Sequence, residues 1–165
     1  MTTLGIDDQF QCVQLSDGSI IKLRVMDTAG QEKFNAINES YYKQADCCLL
    51  VYDITSMDSF KSIKNYYIKK IKEKCNSGLK VILLGNKTDL KDERQVSDDN
   101  GKDLAEKNGY MFMESSCKDN YNVSDAFTAL VEMTNREPNK LNKVGSFAIK
   151  KDKHHNVDEN KNNCC

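Results

Sequence analysis

Apolar and polar residues change their spacing repeatedly along this chain, and each change marks an element. Residues 9–16 and 19–26 read as two strands joined through Asp17-Gly18, a dipeptide suited to the positive dihedrals of a hairpin turn. Residues 46–54 and 80–85 are largely apolar, as expected for strands covered on both faces. Between them Phe60, Ile63, Tyr67 and Ile71 recur at helical spacing, which predicts a helix over 57–75. Ser97 is placed to cap a helix that ends at Gly109, residues 110–114 form a short strand, and Val123, Phe127, Leu130 and Val131 line one face of a last helix. A hairpin followed by alternating helices and strands predicts an α/β fold, with a mixed, largely parallel sheet between helical layers.

After Pro138, the only proline, the composition shifts. Residues 139–165 hold six Asn, six Lys and few large apolar side chains, too little to offset the entropy of ordering. We expect a body over 1–138 and a flexible tail over 139–165. The six tail lysines face Asp152, Asp158 and Glu159, a balance of +3. Since the whole chain of 165 residues carries −1, the body carries −4. No global positive field argues for nucleic acid. The longest apolar runs, such as Cys47 to Tyr52 and Val81 to Leu84, are strand-sized, and no apolar stretch follows Met1 as a signal peptide requires.

The seven cysteines show no C-x-x-C spacing, which argues against a zinc site or a disulfide framework and for a reducing, cytosolic compartment. Cys12, Cys47 and Cys48 lie in strand-like segments and are expected as small core residues. Core packing does not explain Cys164-Cys165 at the end of a polar tail.

Three polar clusters follow predicted strands, where open α/β sheets bind ligands. Asn86-Lys87-Thr88-Asp89 follows 80–85, and a carboxylate there can accept two parallel bonds from guanine N1–H and N2–H, an edge adenine lacks. Asp89 would then select the base, while Asn86 and Lys87 hold the loop and cover the ring. The pattern is short, and a polar turn after a strand would also explain it alone. Asp27-Thr28-Ala29-Gly30-Gln31-Glu32 is the second cluster. Asp27 can hold Mg²⁺ through water, Gly30 lets a backbone N–H approach a terminal phosphate, and Gln31 can orient an attacking water. In the third, Glu114-Ser115-Ser116-Cys117-Lys118, backbone N–H groups at Ser116 and Cys117 can meet the guanine carbonyl and Lys118 can pack over the sugar.

Together these motifs resemble the Ras superfamily, and the finer details resemble its Rab branch: Leu4-Gly5-Ile6-Asp7, Ala29-Gly30-Gln31-Glu32-Lys33-Phe34, Tyr41-Tyr42-Lys43-Gln44-Ala45 and Leu50-Val51-Tyr52-Asp53-Ile54-Thr55. The match runs from Thr3 to about residue 135. The resemblance implies a Ras-like G domain of the P-loop NTPase class, a GTP/GDP switch with Mg²⁺ in vesicle-mediated traffic. Thr3 matches the threonine that meets Mg²⁺ and the γ-phosphate. It also implies geranylgeranyl groups on Cys164 and Cys165, and two lipids anchor stably where one is marginal. The implied partners are effectors, an exchange factor, an activating protein and the prenylation escort machinery, at the cytoplasmic face of intracellular membranes and cycling with cytosol.

The family's phosphate cradle, G-x-x-x-x-G-K-[ST], is absent. Of the eight glycines only Gly101 precedes a lysine, and Asp103 comes next. The family's first strand and first helix have no counterpart either, so the G domain is expected to be incomplete and hydrolysis by this chain alone very weak or nil. The missing strand lies in the family between the hairpin and the strand at 46–54, so backbone groups there are expected to be left open. Asp8 and Met26 also depart from the Rab pattern, at positions many Rab effectors read. Two readings stand: a Rab-type switch whose N-terminus is incomplete, or a non-enzymatic, lipid-anchored module that engages Rab partners without hydrolysing GTP. A flavodoxin-like or response-regulator domain explains the alternation but neither the guanine-selective cluster nor the terminal cysteines.

Overall fold

The computed structural model describes residues 7–27 and 42–135. Strands β1 (Asp7–Gln14) and β2 (Ile20–Asp27) pair antiparallel, in the register Val13 to Ile21 and Gln14 to Ile20. The turn differs from the one expected. Gly18 N–H donates to Leu15 O at 3.0 Å and Leu15 N–H to Ser19 O at 2.8 Å, so the loop has three residues and the left-handed φ falls on Gly18 alone, at +83°. Asp17 Oδ1 accepts from both Ser19 N–H and Ser19 Oγ, which fixes the loop from inside.

Strands β3 (Cys47–Asp53), β4 (Lys80–Asn86) and β5 (Met111–Glu114) form a parallel sheet in that order. Helix α1 connects β3 to β4 over 57–74, helix α2 (Asp98–Asn108) connects β4 to β5, and helix α3 (Val123–Asn135) follows β5. The fold is α/β, and among the described residues the hairpin and the parallel sheet share no ladder, which is the gap expected where the family's first strand would lie between them. Helix α3 joins the two. Its Phe127 and Val131 pack on Val13, Leu15, Ile21 and Leu23, and Ser16 N–H donates to Glu132 Oε1 at 3.3 Å. The same helix also touches β3 and β4.

The main core lies between the parallel sheet and α1 and α2, where Leu50, Tyr52, Ile54, Val81 and Leu83 meet Phe60, Ile63, Ile68, Ile71, Leu104 and Ala105. Each such aliphatic side chain contributes roughly 1.5–3 kcal/mol by leaving water. β4, the central strand, is buried from Val81 to Gly85 as its apolar run predicts. β3 is not covered on both faces as expected, because Val51 remains 48% exposed.

Two further expectations are corrected. Helix α1 forms, with Ser56 Oγ capping Ser59 N–H at 3.2 Å, but Ile63–Tyr67 is a π-helical turn closed by Ile68 N–H to Ile63 O. The wider turn shifts the later residues around the axis, so Ile68 is buried while Tyr67 packs against the same core only partly buried. Cys12 is exposed, because strand alternation that turns Val13 inward turns its neighbour out, while Cys47 and Cys48 are half-buried. Ser97 caps α2 and Gly109, at φ +69°, ends it, both as the sequence predicts. The tail lies outside the described residues.

Candidate functional site

The C-terminal ends of three parallel strands bring polar residues together, since Asp53 pairs in register with Asn86, and Gly85 with Glu114. Beyond these ends Ser115 N–H continues the ladder to Gly85 O at 2.8 Å, and Ile54 N–H donates to Asn86 O at 3.1 Å. Lys87 then takes a left-handed φ of +70°. This reverses the chain so that Thr88 N–H and Thr88 Oγ1 both donate to Ser115 O at 3.1 Å.

The loops after β4 and β5 are thereby one unit. Asn86 Oδ1 accepts from Ser115 Oγ and from Cys117 N–H, both at 3.3 Å. Asp89 Oδ1 accepts from Ser116 Oγ at 2.7 Å, and the same hydroxyl oxygen accepts from Asp119 N–H at 3.1 Å. The hydrogen bond from Ser116, with help from Lys118 and Lys87, holds the Asp89 carboxyl below the usual carboxylate range. Lys118 Nζ stands 3.8 Å from Asp89 Oδ2. The Asp89 side chain is 9% exposed, whereas the lysine side chains are 51% (Lys87) and 74% (Lys118) exposed. The result is an ionised carboxylate, with acceptor capacity left on Oδ2, between two cationic stems.

Behind this face, Arg94 binds Glu114 through both guanidinium nitrogens, at 2.6 and 3.0 Å, and donates a third bond to Val96 O at 3.1 Å. That pairing raises the Arg94 pKa. Asn122, at φ +55°, donates from Nδ2 to Glu114 O at 2.9 Å. The backbone of Ser116 exchanges two hydrogen bonds with that of Tyr121.

Six of the residues singled out in the sequence therefore lie together: Asn86, Lys87, Asp89, Ser116, Cys117 and Lys118. Asp27 closes β2 in the backbone, with its side chain outside the description, and Thr3, Gly30, Gln31, Cys164 and Cys165 lie outside the described residues. Sequence reasoning missed Thr88, Ser115 and Asp53. Thr88 occupies the free position of N-K-x-D, and only the pairing of the two loops shows that it is buried and bonded. Asp53 was visible as the acid ending a strand-like run, but its partner depends on sheet register: Lys87 Nζ lies 2.6 Å from Asp53 Oδ2.

The carboxylate of Asp89 fits the edge of guanine. N1–H and N2–H are two adjacent donors, and an ionised carboxylate held by one hydroxyl still has lone pairs for both. For Mg²⁺ the sequence candidates are Thr3 and Asp27, neither with a described side chain.

The family model for the Ras family matches residues 1–136. The chain is 44% identical over 150 residues to the Ras-related protein Rab-8B of Homo sapiens, covering 88% of this chain and 72% of that protein. It is 45% identical over 130 residues to Rab-8A of Bos taurus, covering 79% of this chain and 62% of that protein. A match across most of the chain, on a Ras-like α/β fold, settles the classification: the chain belongs to the Ras family, as a Rab-type small GTPase.

Proposed function

We propose that this protein is a guanine-nucleotide switch acting in vesicle-mediated membrane traffic, with GTP and GDP as its ligands. The observation that carries the reading is the Asp89 carboxylate, kept ionised by Ser116 and flanked by Lys87 and Lys118. Asn86 braces both loops through Ser115 Oγ and Cys117 N–H, and in this reading Cys117 N–H turns from Asn86 Oδ1 to the base carbonyl when nucleotide binds. Residues 1–138 are assigned to the G domain and 139–165 to a tail whose Cys164 and Cys165 carry the lipids that attach it to the cytoplasmic face of membranes.

In the same reading Thr3 and Asp27 hold Mg²⁺, which neutralises phosphate charge when bound. Gly30 approaches the terminal phosphate and Gln31 positions water. Partners are those of Rab-type switches: effectors, an exchange factor, an activating protein and the prenylation escort machinery. A second reading, which the 165 residues also allow because they contain no G-x-x-x-x-G-K-[ST], is a lipid-anchored module that engages Rab partners without hydrolysing GTP.

Calorimetry of the 165-residue chain with GDP, GTP and ADP separates the two. The first reading expects binding that prefers guanine, and Asp89→Asn should redirect it to xanthine, whose O2 acceptor faces the new amide donor while N1–H faces the amide oxygen. Guanine-preferring binding of micromolar strength or tighter in the native chain would rule out the second, and no base preference would count against Asp89 as the group that reads the base.

A further inference from the structure

Asp53 ends β3, one residue before the chain leaves the sheet, and is fixed from three sides. Its Oδ1 accepts from Thr55 N–H at 2.8 Å and Thr55 Oγ1 at 2.7 Å, its own N–H donates to Ser59 Oγ at 3.1 Å, and Ser56 N–H donates to its carbonyl at 3.0 Å. Ser56 also caps helix α1, so the orientation of Asp53 is set by the start of that helix. The second oxygen, Oδ2, is left for Lys87 Nζ at 2.6 Å. Lys87, with its backbone at φ +70°, reaches back across the strand ends to place its ammonium on Asp53. Asp53 therefore selects one course for a long, half-exposed side chain that would otherwise sample many rotamers. The lysine so fixed stands two residues before Asp89 in the same loop, near enough for the Asp89 charge to act on it.

We infer that Asp53 is a positioning residue for nucleotide recognition: through its ion pair with Lys87 it holds the lysine stem as one wall of the base slot above Asp89. This rests on the reading of the site as a guanine-nucleotide site and adds to it a residue outside the recognition motif. Asp53 touches no nucleotide in this arrangement, and its effect passes through Lys87.

The test is calorimetric titration of the 165-residue chain and its variants with GDP, with ADP as the comparator. Asp53→Asn keeps an acceptor for Thr55 but loses the charge, and should weaken GDP binding about fivefold, the scale of a partly exposed ion pair. Lys87→Met should weaken it by at least as much, and the double variant should be no weaker than Lys87→Met alone. Asp53→Glu, which keeps the charge, should recover most of the loss. A merely structural Asp53 would instead give additive losses and no rescue by Glu, and that result overturns the inference while leaving the guanine reading intact. An Asp53→Asn chain that binds GDP as the native one does has the same consequence. A native chain that shows no preference for GDP over ADP overturns both. Should Asp53→Asn not fold, Lys87→Met compared in the native and Asp53→Glu backgrounds decides: equal weakened affinities in the two support the inference, and an added loss in the Glu background overturns it.

Discussion

Arg94 and Glu114 face each other across the loops that follow β4 and β5, with Nη1 2.6 Å from Oε1 and Nη2 3.0 Å from Oε2. The side chains are 24% and 18% exposed, so the pair is neither a surface contact nor a fully buried one. It ties the segment that follows Asn86 and Asp89 to the end of β5, two residues before Ser116.

Arg94→Ala should therefore lower stability by about 1–2 kcal/mol, between the ranges for exposed and buried pairs. Arg94→Lys should recover less than half, because an ammonium does not reproduce the two parallel bonds. Urea unfolding of the three proteins measures this, and full recovery by lysine would show that charge alone matters.

Ser116→Ala removes the hydroxyl that holds Asp89 and accepts from Asp119. The folded pKa of Asp89 lies below its ordinary value of 3.8, so its contribution to stability is present above that pH and fades as pH falls through the folded value. The variant's Asp89 should titrate closer to the ordinary value by carboxyl NMR. Its stability deficit relative to the native chain should shrink on acidification, and a deficit that grows toward low pH would contradict the assignment.

Tyr52 Oη is buried with no hydrogen-bond partner among the described residues, wedged beside Gly101 of helix α2. Removing it in Tyr52→Phe leaves no partner behind, so stability should stay within about 0.5 kcal/mol or rise by up to about 1. A loss above 1 kcal/mol would mean that the hydroxyl has a partner in solution.

A side chain at Gly101 would meet the Phe112 ring, with Phe112 Cζ and Tyr52 Oη each 2.6 Å from the added Cβ. Gly101→Ala should cost about 1–3 kcal/mol from overpacking despite alanine's better helix propensity. Because Tyr52 Oη is one of the colliding atoms, the double variant with Tyr52→Phe should cost less than the sum, by thermal or urea unfolding.

Burial raises the Cys47 thiol to about 11 and the Cys48 thiol to about 12, whereas Cys12 and Cys117 are exposed. At pH 8 a disulfide reagent should label Cys12 and Cys117 well before Cys47 and Cys48, since it needs access and thiolate. Mass mapping of the labelled peptides reads the order.

What the sequence determined by itself is local. Alternation placed both hairpin strands, an unbroken apolar run placed the buried β4, and Ser97 and Gly109 bounded α2, since each signal acts within a few residues. The recognition loops were legible for the same reason, as Asn86, Lys87, Asp89 and the run from Glu114 to Lys118 are contiguous. Only the tertiary structure decided what joins them. Thr88 to Ser115, Asp89 to Ser116, Arg94 to Glu114 and Asp53 to Lys87 each span 20 to 34 residues of chain, and strand register brings them within bonding distance. The π turn in α1 and the outward Cys12 were likewise settled by packing, because the same local spacing is compatible with either outcome until a neighbouring element fixes which face is covered.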